Sequence, residues 1–158
     1  MANVLVIDPE KCTSCRLCEL ACSARNAGAY RPARSRIRVL IRADEAFYFP
    51  RVCIQCEEAP CIEECPTDAL VRDAATNVVV LKEDRCDGCG VCESACPYGV
   101  IWCLDDKAHK CDLCGGDPEC VRFCAPDALR YESQDRWPPG DRQAYADRLR
   151  GLVQEVKR

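Results

Sequence analysis

RCDGCGVCESACPYG, from Arg85 to Gly99, decides how the rest of the chain is read. It places Cys86, Cys89, Cys92 and Cys96 with two, two and three residues between them, and Pro97 follows the last. This is the pattern by which thiolates wrap a cubane 4Fe-4S cluster. Three thiolates so close in sequence reach three corners of one cube only from a tightly coiled loop. Gly88 and Gly90 let that loop turn and keep its amides near the sulfurs. The fourth cysteine of such a run usually serves a neighbouring cluster, so the stretch demands partner motifs elsewhere.

Working outward, the partners come from an internal duplication. NVLVIDPEKCTSCRLCELAC (Asn3 to Cys22) lies over NVVVLKEDRCDGCGVCESAC (Asn77 to Cys96) without a gap, and every cysteine matches. VCIQCEEAPCIEECPTDAL (Val52 to Leu70) lies over KCDLCGGDPECVRFCAPDAL (Lys110 to Leu129) with one extra residue before Cys120. Each half therefore carries a compact motif and a looser one. The compact motifs are Cys12, Cys15, Cys18, Cys22 and Cys86, Cys89, Cys92, Cys96; the looser ones are Cys53, Cys56, Cys61, Cys65 and Cys111, Cys114, Cys120, Cys124. Cys103 is left over.

A chain of 158 residues makes one domain or two very small ones, in which apolar burial alone gives limited stability. Seventeen cysteines point to a disulfide scaffold or a metal–thiolate protein. The start, MANVLVIDPEK, shows no basic segment followed by a long apolar run, so an oxidising secretory compartment is not implied and the thiols read as ligands. The longest apolar run, Val78 to Leu81, is a strand's worth, and the expectation is a soluble, cytoplasmic protein. The formal charge is -4, and four oxidised clusters on sixteen thiolates would add about -8. Such a balance disfavours nucleic acid as partner and puts a cost on each added electron, which Arg, Lys and amide-to-sulfur hydrogen bonds lessen. Zinc, the main inorganic alternative, also uses paired CxxC motifs, but four successive quartets, two with the full signature, favour iron–sulfur clusters.

The fold class expected is α+β. Val4 to Ile7 and Val78 to Leu81 read as strands entering compact motifs, and Ala69 to Val71, Val100 to Leu104 and Ala128 to Tyr131 as strands leaving motifs. RSRIRVLIR, Arg34 to Arg42, reads as a strand with basic residues on one face, either a solvated hairpin or a docking surface for an acidic partner. After WPPG (Trp137 to Gly140), Tyr145, Leu149, Leu152 and Val156 mark one stripe of a helix that packs on the body or on another subunit.

The motifs resemble two-cluster bacterial ferredoxins, in which each cluster takes three thiolates from one motif and the last from the other. Cys65 and Cys86 are separated by about the short link expected between paired motifs. One cluster is then held by Cys53, Cys56, Cys61 and Cys96, its neighbour by Cys86, Cys89, Cys92 and Cys65. By elimination the outer motifs pair: Cys12, Cys15, Cys18 with Cys124, and Cys111, Cys114, Cys120 with Cys22. Two modules result, residues 1–24 with 105–131 and residues 51–104, with an insertion at 25–50 and a tail at 132–158.

This interlacing resembles the four-cluster electron-transfer subunits of molybdenum and tungsten pterin oxidoreductases and some hydrogenases. The short chain and KCDLCGGDPECVRFC are most similar to the small iron–sulfur subunit of tungsten aldehyde oxidoreductase complexes and to subunits of benzoyl-CoA reductase complexes. The resemblance implies four 4Fe-4S clusters, a catalytic pterin subunit and a flavin subunit that reduces NAD as partners, and no catalysis by this chain itself. Alternatives are a wire for a hydrogenase, formate dehydrogenase or aromatic-ring reductase, or a free polyferredoxin carrier. Ser23 and Ala125 stand where that pattern usually has proline. Cys103 is expected to pack as a small buried hydrophobe, His109 to lie at the surface or behind a ligand, and Trp102 and Tyr98 to exclude water. No nucleophile–base pair, phosphate-cradling loop or flavin fingerprint is visible.

Overall fold

Strands that enter and leave the cysteine motifs pair in twos, and the computed structural model describes residues 3–133, 144, 147–152 and 154. In chain order, β1 (Asn3–Ile7) leads to the first motif and α1 (Leu17–Ala27) carries its later cysteines. The hairpin β2 (Ile37–Arg42) and β3 (Phe47–Val52) precedes the second motif, which ends in α2 (Pro60–Glu63). Then come β4 (Leu70–Arg72), β5 (Val79–Leu81), α3 (Val91–Ala95), β6 (Trp102–Leu104), β7 (Lys107–His109), α4 (Glu119–Arg122) and β8 (Leu129–Ser133).

Among the described residues the four ribbons are all antiparallel, β1 with β8, β2 with β3, β4 with β5 and β6 with β7. The β1–β8 ribbon, with Asn3 opposite Ser133 and Ile7 opposite Leu129, sets the residues before Cys12 beside those after Cys124. Helices pack in the same sense, α1 against α4 and α2 against α3. The predicted strands are present, with β2 beginning at Ile37 rather than at Arg34, while β3 and β7 lie outside the strands that the sequence predicts. Val100 and Ile101 are buried but unpaired, so the expected strand begins only at Trp102.

Two apolar clusters form the core, and cysteines are embedded in both. The larger joins Leu5, Ile7, Ile37, Phe49, Val52, Leu113 and Leu129 with Cys18, Cys22, Cys53, Cys111 and Cys120. The smaller joins Leu70, Val79, Ile101 and Ala108 with Cys61 and Cys92. Phe49, at 2 % exposure, is among the largest side chains so enclosed, and full burial of a side chain of that kind contributes about 1.5–3 kcal/mol.

The β2–β3 hairpin corrects the sequence reading. It is not a solvated hairpin: Ile37, Phe49 and Val52 face the core, and its basic residues are engaged within the chain. Arg36 Nη1 donates to Asp112 Oδ2 at 2.6 Å, the Arg38 guanidinium lies 3.9 Å over the Trp102 ring, and Arg34 pairs with Asp105. On the other side, the buried Glu19 carboxylate accepts the Val39 amide at 2.6 Å while pairing with Arg16 at 2.6 Å. The insertion is thereby fastened across the first and fourth motifs.

Helical residues 147–152 bring Leu149, 2 % exposed, into the larger cluster, and Leu152 packs against it. This is packing on the body, one of the two readings of the stripe, reinforced by Arg150 stacked 5.8 Å from the Tyr98 ring centre. Tyr145 and Val156 lie outside the described residues.

Candidate iron–sulfur sites

Each CxxC turn is built the same way. The residue just before the second cysteine takes the left-handed conformation in all four motifs: Ser14 at φ 60°, Gln55 at 57°, Gly88 at 75° and Leu113 at 56°. Only Gly88 adopts it freely; for the others the conformation costs roughly 1–2 kcal/mol. What the bend achieves is visible in the hydrogen bonds. The Leu113 amide donates to Cys111 Sγ at 3.4 Å and the Gln55 amide to Cys53 Sγ at 3.5 Å, and the Ser14 amide likewise donates to the Cys12 sulfur. Sequence reasoning assigns such turns to glycine and misses that Ser14, Gln55 and Leu113 make them too, since none of those residue types signals a positive φ.

The sixteen motif cysteines stand in neighbourhoods that cross the motifs. Cys12 has Cys15 and Cys124 as electrostatic neighbours, and Cys18 has Cys12 and Cys124. Cys22 faces Cys111, Cys114 and Cys120. Cys53, Cys56, Cys61 and Cys96 line one cavity together with Val79, Ile101 and Lys110. Cys65, Cys86, Cys89 and Cys92 line another, and Cys103 lines it with them. Electrostatic interactions also run from one neighbourhood to the next: Cys18 with Cys120, Cys111 with Cys53, and Cys61 with Cys92. The exposed cysteines, Cys15 and Cys89, belong to the two ends of that succession.

The electrostatics suit thiolate ligands bound to metal. Burial, and then neighbouring sulfurs, pushes Cys56 and Cys61 up to about 12 and about 11; burial, followed by Glu19, takes Cys18 to about 12. Burial, followed by Cys103 and Cys86, does the same to Cys92, and burial also raises Cys111 and Cys120 strongly. A buried thiolate needs positive charge or donors, and iron supplies the charge. Cys65 shows the donor route: burial works upward, but the amides of Leu70, Thr67 and Ala69 and the Thr67 hydroxyl outweigh it and hold the thiol below its ordinary value. Ala69 N lies 3.3 Å from the sulfur.

Three basic residues act on these groups, Lys110 from a buried position, Arg51 from a half-buried one and Arg25 from the surface. Lys110, 4 % exposed, donates through Nζ to Val79 O and Cys111 O, each at 2.8 Å, and to Gln55 Oε1 at 3.3 Å, and its charge favours the thiolate forms of Cys61 and Cys111. Arg51 and Arg25 act on Cys96 and Cys114. A lysine next to a cysteine in sequence carries no signal of burial, so the place of Lys110 among these sulfurs is one that only the fold reveals.

One sequence reading changes. Cys103 is half-buried and belongs to the wall of a cysteine cavity rather than to the apolar core. His109, paired across β6–β7 with Trp102, is held below its usual value by burial first and then by Arg36 and Arg34, and it lines an open pocket with those two arginines, the surface place that the sequence allows. Trp102 and Tyr98 are buried at 8 % and 4 %, as packing groups. Among the described residues no group of His, Cys, Asp or Glu converges closely enough for a single metal ion. Buried sulfurs around shared cavities, with amides and cations directed at them, fit the larger 4Fe-4S core.

Comparison with known proteins places this chemistry. Residues 44–134 match the 4Fe-4S dicluster domain family and residues 5–24 the 4Fe-4S binding domain family. A polyferredoxin-like subunit of aliphatic sulfonate oxidoreductase from Pyrococcus furiosus is 43% identical over 122 residues, covering 76% of this chain and 70% of that protein. The thiosulfate reductase electron transfer subunit PhsB of Salmonella typhi is 35% identical, covering 90% and 83%. Among solved structures, the active site complex BamBC of benzoyl coenzyme A reductase with zinc contains a chain aligning with a TM-score of 0.51 at 27% identity, over 99% of this chain and 98% of that one. The chain belongs to the 4Fe-4S dicluster ferredoxin family.

Proposed function

We propose that the chain is a non-catalytic electron-transfer subunit holding four 4Fe-4S clusters in a row. The observation that carries this is the succession of four cysteine neighbourhoods linked by Cys18–Cys120, Cys111–Cys53 and Cys61–Cys92, with exposed cysteines at both ends. The ligand sets are Cys12, Cys15, Cys18 and Cys124; Cys111, Cys114, Cys120 and Cys22; Cys53, Cys56, Cys61 and Cys96; and Cys86, Cys89, Cys92 and Cys65. The nested modules, residues 1–24 with 105–131 around 51–104, follow from those sets. When bound, the clusters supply one-electron carriage. The chain's own residues fix where the sulfurs stand, exclude water with Trp102 and Tyr98, and offset negative charge through Lys110 and the CxxC amides.

The partners we infer are a tungsten pterin catalytic subunit that oxidises an aldehyde and a flavin subunit that reduces NAD, assembled in the cytoplasm. The sequence resemblance supports that reading, and the relatives named as subunits of sulfonate oxidoreductase and thiosulfate reductase support the broader one of service in an oxidoreductase complex. They also favour a second reading, in which the catalytic subunit acts on another substrate class, such as a sulfonate. Anaerobic capture of the native protein decides. About 16 iron atoms per chain, with a partner containing tungsten pterin and aldehyde-dependent reduction of the clusters, is the expected result. A pterin partner that reduces the clusters only with another substrate selects the second reading, and a lone chain that binds neither partner overturns both.

A further inference from the structure

The cavity at one end of the row holds five thiols, not four. Cys103 on β6 lines it with Cys65, Cys86, Cys89 and Cys92. Its sulfur accepts the Gly90 amide and lies near Cys86, Cys89 and Cys92. Its backbone is anchored, with the Cys103 amide donating to Glu93 Oε2 at 3.1 Å on α3, so reaching a neighbouring position needs side-chain rotation rather than strand movement. Cys89, by contrast, is exposed at the rim. The other end of the row has no such reserve in the sequence: at the offset from Cys22 that separates Cys103 from Cys96 stands Ala29.

We propose that Cys103 is a resident replacement ligand, able to take the iron corner of Cys89 in the terminal cluster. The inference rests on the assignment of Cys65, Cys86, Cys89 and Cys92 as that cluster's ligands. The exchange is a substitution without oxidation or reduction. The Cys103 thiol gives up its proton as its sulfur bonds iron, the iron–Cys89 bond breaks, and the released Cys89 sulfur takes up a proton. A terminal cluster is where solvent and oxidants arrive first, and a second thiol within reach keeps its fourth iron from being lost when the exposed ligand is displaced.

The test uses the full chain reconstituted anaerobically, with three readouts: iron content, the EPR signal of a 3Fe cluster in the oxidised protein, and alkylation of the native protein by iodoacetamide mapped by mass spectrometry. The unaltered chain should hold about 16 iron atoms and be alkylated at Cys103 alone. Cys15→Ala, at the end without a reserve, should fall to about 15 iron, show the 3Fe signal and keep Cys103 reactive. Cys89→Ala should keep about 16 iron, show no 3Fe signal and lose alkylation at Cys103, and adding Cys103→Ala should then remove one iron. Cys89→Ala behaving like Cys15→Ala, or losing the whole cluster with Cys103 still reactive, would overturn the proposal while leaving the ligand assignment standing. An unaltered chain far from 16 iron would refute the assignment, and the proposal with it.

Discussion

At the scale of the residue, the four CxxC turns show how differently one backbone shape can be met. Gly88 is the turn residue that no other side chain can replace. Its φ is 75°, and a Cβ there would stand 2.7 Å from the carbonyl carbon and oxygen of Asp106, in the β6–β7 turn. Backbone cannot yield as a flexible side chain would, so strain of about 1–2 kcal/mol adds to a clash that pushes β6–β7 off the third motif. Gly90 has a similar φ of 78°, but a Cβ there would meet nothing within 4 Å. Gly88→Ala should therefore lose about four iron atoms, one cluster's worth, whereas Gly90→Ala should keep them and lower stability by only about 1 kcal/mol. Iron analysis with thermal unfolding of the two variants checks this, and equal iron loss in both would show that φ alone, not the approach to Asp106, governs the site.

At the scale of the element, a single substitution within the duplication sets the length of a helix. Pro97 follows Cys96, and α3 stops at Ala95 because a residue preceding proline is driven out of the helical region; Cys96 sits at φ -74°, ψ 112°. Ser23 holds the matching place after Cys22, and α1 runs on to Ala27, capped by Gly28 in the left-handed conformation. The Ser23 hydroxyl donates to Leu20 O at 3.0 Å and accepts the Arg31 amide at 3.0 Å. One turn later Asn26 donates to Cys22 O at 2.9 Å. Ser23→Pro should destabilise the chain by about 3 kcal/mol and unprotect the amides of residues 24–28, as hydrogen exchange would report. Unchanged protection there would show that α1 does not depend on the serine. What is legible in the sequence follows the same division. Cysteine spacing, the duplication and the flanking strands are local patterns, and they can be read directly. The fastening of the insertion cannot, because Arg36 and Asp112 are 76 positions apart and an alternating basic strand looks the same whether it faces water or another loop. Cys103 escapes for a related reason: strand alternation indicates an inward face but not whether that face meets apolar side chains or other sulfurs.

At the scale of the whole molecule, regular structure is too sparse to hold the chain together by itself. Its strands are three to six residues long and pair only in twos among the described residues, and isolated ribbons of that size are marginal in water. The sulfurs are distributed through both apolar clusters, so those clusters close around whatever the cysteines hold. Without metal, Cys111 and Cys120 and their neighbours are buried thiols whose ionised forms burial opposes, and what then ties the first motif to the fourth and the second to the third is short ribbons, the packing of one- to three-turn helices and a few side-chain bonds. Metal binding and folding are then one equilibrium. Complete removal of iron by a chelator under reducing conditions should collapse the far-ultraviolet circular dichroism toward that of an unfolded chain and open it to proteolysis, and anaerobic addition of iron and sulfide should restore both. Retention of native-like dichroism by an iron-free chain would mean that the protein core, rather than the cysteine-bound groups, specifies the fold.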